Sequence, residues 1–418
     1  MLHQRYQYAK EVYQKIGVDT DEALKQLSKV SISMHCWQGD DLCGFENTDG
    51  PTGGIMATGN YPGKPRTADE LMSDIAMAFS VIPGKHRLSL HAIYAIGRPG
   101  EKIERNRIEP RHFTPWVQFA KEHEIGLDFN PTFFSHPMAD DGLTLSHPDT
   151  AVRNFWIEHG KACRKISEYI GKELKTPCLN NVWIPDGYKD IPADRIGPRN
   201  RLKYSLDEIF SEKYDKQYML DSVESKLFGI GLESFTVGSH EFYMDYTMHN
   251  PDVLYLMDSG HFHPTETISD KISSLLLFRE KIALHVTRAV RWDSDHVVLF
   301  EEELKEIARE IVQNNALNRV LIGLDFFDAS INRIAAWVVG MRNMLKAILY
   351  ALLTPHVLLT AMQERREFTE KMILMEELKT YPFGDVWNYF CEINNVPCSG
   401  DWLNEVNRYV EKNFSDRK

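Results

Sequence analysis

The sequence predicts an α/β protein built on a closed (β/α)8 barrel. Three observations carry that expectation. Eight short β-rich runs are spread along the chain, most end at a polar or charged residue, and stretches of helical period separate them. Alternating βα units favour a parallel sheet, and eight such units are the number that closes one. A doubly wound open sheet is the alternative, but no GxGxxG follows an early strand.

The expected strands are 31–37, 87–94, 126–130, 180–184, 222–228, 253–257, 282–286 and 320–326. Helical patterns fill 68–79, 114–123, 150–174, 199–214, 269–279, 301–314 and 331–353. The fifth unit is the weakest, because 229–250 shows no clear helix. Residues 1–30 read as one or two helices ahead of the barrel, 31–355 as the catalytic barrel, and 356–418 as a charged helical extension. That extension either packs on its own barrel or embraces another subunit.

Composition narrows the functional classes. The 418 residues are 43% hydrophobic and 26% charged, so a large core is expected. The formal net charge of −12 opposes non-specific binding to nucleic acid or anionic lipid. No apolar run reaches the ~18 residues a membrane span needs. The longest, around 334–353, is broken by Arg342, Asn343 and Lys346. The first residues hold no apolar leader, and the six cysteines read as thiols of a cytoplasmic protein.

A barrel carries its chemistry at the C-terminal ends of its strands. Those ends supply His35, Trp37, His91, Asn130, Trp183 and Asp186 in the first half. In the second half they supply Glu224, Lys226, Asp258, His261, His285, Asp293, Asp295 and Asp325. Glu224 and Lys226 are two apart and share a strand face. An unpaired charge on the interior face is costly, so both need partners there. Asp258 alone would read as a turn-former, and His285 alone as a core histidine. Together, Glu224, Asp258, Asp293, Asp295 and Asp325 form a group of five carboxylates joined by His261 and His285. Such a group repels itself unless cations are present. The donor set suits Mg²⁺ or Mn²⁺, and also Co²⁺ or Zn²⁺. Five carboxylates balance two divalent ions and Lys226. His263 reads as supporting or structural, and Asp328 as the N-cap of the last barrel helix. His91, Asn130, Trp183 and Asp186 suit a polyol. The Gly-rich loop 53–63 lacks the GK[ST] ending of a P-loop and reads as a lid or a plain surface loop.

The segments MHCWQGDD, GGIMATGNYPG, VESKLFGIG, GHFHPTE, VRWDSDH and IGLDFFDASINRIAAW resemble the L-rhamnose isomerase family, and the resemblance runs from the first helix to the tail. It implies a xylose-isomerase-like barrel, a homotetramer, and conversion of L-rhamnose to L-rhamnulose on two divalent cations, most often Mn²⁺. By motif, Glu224, Asp258, His285 and Asp325 would hold the structural ion. His261, Asp293 and Asp295 would hold the catalytic one. Lys226 and His91 would face the sugar, while Trp183 and Phe129 exclude bulk water. A metal-assisted hydride shift between C1 and C2 is the expected chemistry, and proton transfer through an enediol the competing route. Another aldose isomerase, a metal-dependent phosphodiester hydrolase and a non-catalytic sugar binder are the other classes weighed. The charge of −12 opposes the hydrolase, and a bare binder hardly needs two metals.

Overall fold

The computed structural model describes residues 2–46, 57–229, 231–415 and 417. Its strands are β1 (Ile32–His35), β2 (Arg87–His91), β3 (Gly126–Asn130), β4 (Cys178–Trp183), β5 (Gly187–Tyr188), β6 (Met219–Glu224), β7 (Phe235–Thr236), β8 (Val253–Asp258), β9 (Ile282–Val286) and β10 (Val320–Leu324). Eight of them close a parallel barrel in the order β1-β2-β3-β4-β6-β8-β9-β10. β5 and β7 form a separate antiparallel pair beside the rim, which the sequence pattern did not reveal.

Register aligns the site. His91 lies beside Asn130, Trp183 beside Glu224, and Asp258 beside His285. These residues therefore end on one rim, as parallel pairing of staggered strands requires.

The helices that cover the barrel are α1 (Leu2–Gln14), α2 (Thr20–Leu27), α3 (Ala68–Ser80), α4 (Thr114–Glu122), α5 (Thr150–Leu174), α6 (Ile196–Ile209), α7 (His240–His249), α8 (Ser269–Leu276), α9 (Glu302–Gln313) and α10 (Arg333–Leu352). Their starts follow from capping side chains. The Asp149 carboxylate accepts from Ala151 N–H at 2.8 Å to start α5. Asn332, not Asp328, caps α10, accepting from Ala335 N–H at 2.9 Å. Asp328 instead closes its own turn by accepting from Ser330 N–H at 2.8 Å.

The apolar run in α10 is a core helix. Its Trp337 is fully buried and donates to the His35 carbonyl at 2.7 Å, joining α10 to the end of β1. Arg342 in the same helix donates to the Val81 carbonyl at 2.9 Å and lies on the Trp387 ring. Among the described residues, no single helix is long and apolar enough to cross a membrane.

Two elements differ from expectation. The fifth barrel strand is β6, three residues earlier than the run 222–228. Asp221 hides it, because a charge inside a strand reads as a break. In the fold that carboxylate turns to the helical layer and binds Arg164 of α5 at 2.8 Å. The region 229–250 does contain a helix, α7. Its aromatic and polar residues lack a clean apolar stripe, and Ser239 caps it.

The C-terminal extension is α11 (His356–Glu364), α12 (Phe368–Leu378), α13 (Phe383–Ile393) and α14 (Trp402–Asn413). Its last two helices pack on the chain itself. Tyr389 of α13 stacks on Tyr6 of α1 with centroids 3.9 Å apart. Tyr409 of α14 donates to Asp74 of α3 at 2.8 Å. By contrast, α11 and α12 leave Val357, Phe368, Met372 and Ile373 exposed.

Candidate metal centre

The second half of the barrel brings its carboxylates and imidazoles together. One ligand atom each from Glu224, Asp258, His285 and Asp325 lies within 4.8 Å of the others. Glu224, Asp258 and His285 sit in or at the end of β6, β8 and β9, and Asp325 follows β10 directly. A second group lies against the first. His261 Nε2 is 3.3 Å from Asp293 Oδ2, and His261 Nδ1 is 3.4 Å from Glu224 Oε1. Lys226 Nζ donates to Asp293 Oδ2 at 2.6 Å. It lies just beyond β6, so the chain past the strand end still points it inward. Asp295 lines the same pocket, in the left-handed region at φ 44°.

Electrostatics show how unstable this group is by itself. Burial, then the charges of Glu224, Asp325 and Asp293, push Asp258 well above the ordinary carboxylate value. Burial, then Asp293 and Asp325, do the same to Asp295. Asp325 is also raised, by burial above all. Glu224 moves the other way. Against burial, His285 and then His261 hold it below the ordinary value. Against burial, Lys226 and His261 likewise hold Asp293 low. Against burial, Glu224 lifts His285 to about 9.

Among the described residues, four buried atoms here have no hydrogen-bond partner: Asp258 Oδ2, His261 Nδ1, His285 Nδ1 and Asp293 Oδ1. Buried polar atoms are nearly always satisfied. Four orphans on convergent oxygen and nitrogen donors fit divalent cations.

Supporting groups orient the donors. Asn181 donates to Glu224 Oε2 at 2.6 Å, Trp37 Nε1 to Asp325 Oδ1 at 2.8 Å, and Gly260 N–H to Asp258 Oδ1 at 2.6 Å. Glycine is needed at 260, since a Cβ there would meet Asp293 Oδ1 at 2.9 Å. His35 is structural: its Nε2 donates to the Phe326 carbonyl and steadies the segment next to Asp325. His240 donates to the His261 carbonyl at 2.7 Å.

A pocket above the centre is lined by Trp37, His91, Trp183, Lys226, Phe134 and Phe327, among others. Burial pushes His91 down to about 3, so it is neutral there. Lys226 Nζ lies 5.4 Å from the Trp183 ring centroid. Trp183 Nε1 is itself buried and has no partner among the described residues.

Not every expected residue joins the pocket. Phe129 turns to the helical layer, with its ring edge-on to Phe113 at 4.8 Å. Asp186 is consumed by Thr144 and Ser146, whose backbone and hydroxyl groups all donate to it. His263 is exposed and faces Thr265. Residues 53–56 of the Gly-rich loop lie outside the described residues. The rest follows the rim: Tyr61 N–H donates to the Ala329 carbonyl at 2.7 Å, and Gly59 has φ 117° where a Cβ would collide with the Ala329 backbone.

Asn181, Phe134, Phe327 and His240 were missed. Asn181 and His240 could have been found by asking which side chains satisfy buried ligands. The two phenylalanines carry no signal beyond adjacency to strand ends.

A closed parallel barrel with a carboxylate–imidazole centre under an aromatic, polar pocket defines a metal-dependent barrel enzyme. The profile of the L-rhamnose isomerase (RhaA) family matches residues 1–417, and the chain belongs to that family. An L-rhamnose isomerase of Listeria monocytogenes is 61% identical over 411 residues, covering 98% of this chain and 97% of that one. One from Rhodopirellula baltica is 54% identical over 417 residues, covering 100% of this chain and 97% of that one. One from Pectobacterium carotovorum is 55% identical over 414 residues, covering 99% and 98%.

Proposed function

We propose that this chain interconverts L-rhamnose and L-rhamnulose on two divalent cations, with Mn²⁺ the best match and Co²⁺, Mg²⁺ or Zn²⁺ as alternatives. Family membership over residues 1–417 supports the substrate. Glu224, Asp258, His285 and Asp325 would hold one cation, and His261, Asp293 and Asp295 the other. When bound, the cations anchor sugar hydroxyls and polarise the O1/O2 pair.

The chain's own residues do the rest. Lys226 holds Asp293 and offers its remaining protons to the sugar. Neutral His91 offers an uncharged nitrogen, and Trp183 Nε1 an unspent donor. Trp37, Phe134 and Phe327 keep bulk water from the reacting carbons.

A hydride passes from C2 to C1 while the O2 proton moves to O1, so the exchange balances within one sugar. One observation carries this route over an enediol. The carboxylates lining the pocket among the described residues are Glu224, Asp295 and Asp325, and each belongs to a proposed ligand set. None is left as a free base. Turnover of 2-deuterated L-rhamnose in ordinary water tests it. Label retained at C1 of the product is expected, and extensive washout into solvent would sink the hydride route.

The enzyme would act in the cytoplasm as a homotetramer. The exposed Met372 and Ile373 of α12 support assembly through that helix. Sedimentation of Met372→Glu/Ile373→Glu should show a smaller species than the parent, and an unchanged tetramer would remove α12 from the interface.

A further inference from the structure

The barrel is not filled beneath the metal centre. Barrel interiors normally carry layers of bulky branched side chains. Here Ser33, Ser89 and Gly323 leave a cavity of about 250 Å³ on the axis. Asn130, Asn181 and His285 form its upper wall and also line the pocket above. Its lower rim is Lys29, Thr176 and Asn318, which precede β1, β4 and β10 on the opposite face of the barrel. Lys29 and Asn318 are exposed.

The wall is mixed: Leu220, Leu284 and Leu321 line it beside a polar set of Ser33, Ser89, Arg87, Asp128, Asn130 and Asn181. Ser33 donates to Asp128 Oδ2 at 2.7 Å, and Arg87 Nε donates to the same oxygen at 2.9 Å. Although they lie inside the barrel, the Arg87 and Asp128 side chains stay 18% and 9% exposed. Asn130 donates to Ser89 at 2.8 Å, and Asn181 to Glu224 itself.

His285 supplies the second observation. Its Nδ1 faces Glu224 at 3.2 Å and Asp325 at 3.5 Å, so Nδ1 is the nitrogen turned to the metal centre. Its outer edge faces Gly323. A Cβ there would stand 3.0 Å from Cδ2 and 3.5 Å from Nε2. No protein acceptor among the described residues takes the Nε2 proton. A ligating imidazole almost always donates its other N–H to a carboxylate, a carbonyl or water. Among apolar neighbours, the cavity offers water polar partners in Ser33, Ser89, Asn130 and Asn181, and it is large enough to hold it.

We propose that the barrel axis is a second, water-filled entrance to the metal centre, opening on the face opposite the sugar pocket, and that its water accepts from His285 Nε2. The site takes water and small uncharged solutes. It hydrates the underside of the centre while a sugar fills the upper mouth.

Thiol access tests this on the metal-loaded, full-length enzyme. Ser89→Cys is treated with methyl methanethiosulfonate, with and without L-rhamnitol, a sugar alcohol that cannot isomerise. Modification is followed by mass on the peptide containing position 89. The thiol is expected to react at the same rate with the polyol present. Adding Asn318→Trp at the lower rim should slow it about tenfold, because reactivity follows access. A thiol that never reacts, or one blocked by the polyol and indifferent to Asn318→Trp, would overturn the proposal. Leu321→Cys, on the same cavity wall, replaces Ser89→Cys should that variant not fold. Phe327→Cys in the upper pocket is the control. If the polyol fails to protect it, the sugar reading fails, and the Asn318→Trp comparison alone decides the axial route.

Discussion

Asp295→Asn is expected to abolish turnover while leaving the barrel folded. The substitution keeps the size of the side chain and removes only its charge. It also keeps the backbone, because Asp295 sits at φ 44°, a conformation that Asn adopts as readily as Asp. The loop stays tied to the rim through the hydrogen bond from Phe327 N–H to the Asp295 carbonyl at 3.1 Å. What is lost is a donor of the proposed catalytic cation. The fall in kcat/KM should therefore exceed the ~10–100-fold that removing a merely supporting residue of a metal site costs. Stability should move the other way in the cation-free chain. Asp295 is raised well above its ordinary value by burial and by the charges of Asp293 and Asp325, so a neutral amide relieves strain there. Kinetics and a thermal melt on the same preparation check both halves. Near-parental kcat/KM would remove Asp295 from the mechanism.

How far the sequence anticipated this site depends on what each residue contributes to. Seven proposed ligands were legible because strand ends repeat, and because buried carboxylates have few uses beyond pairing and metal binding. Glu224, Asp258, His285 and Asp325 do converge within 4.8 Å. The barrel was legible for a similar reason: β3 and β9 begin and end where the β-rich runs do.

The failures are cases where tertiary partners override a local signal. The fifth run begins at 222 because Asp221 reads as a break, but Arg164 of α5 pairs with it on the helical side of the sheet. Asp186 looked like a polyol ligand, but its oxygens are already taken by Thr144 and Ser146. Phe129 sits beside Asn130, and consecutive strand residues face opposite sides of a sheet. Asn130 therefore lines the pocket while Phe129 packs outward on Phe113. That alternation was available in the sequence.

Stripping divalent cations with a chelator is expected to abolish turnover and to lower the thermal midpoint, and added Mn²⁺ should restore both. The stability effect follows from linkage: a cation that binds only the folded chain at 100 times its Kd stabilises it by ~2.7 kcal/mol. The physical source is the crowding already described. Burial above all, then the charges of neighbouring carboxylates, push Asp258, Asp295 and Asp325 upward, and Asp258 Oδ2, His285 Nδ1 and Asp293 Oδ1 are buried without partners among the described residues. A cation removes the repulsion and satisfies the orphans together. A chelated enzyme with parental activity and an unchanged midpoint would refute the metal centre. The two proposed cations can then be separated with Asp295→Asn. That variant keeps Glu224, Asp258, His285 and Asp325, so it should keep much of the midpoint rise on adding Mn²⁺ although it turns over no sugar. Loss of the whole rise would mean that the seven donors form one cooperative site. A rise without turnover assigns stability to the deeper set and chemistry to the set that includes Lys226's partner, Asp293.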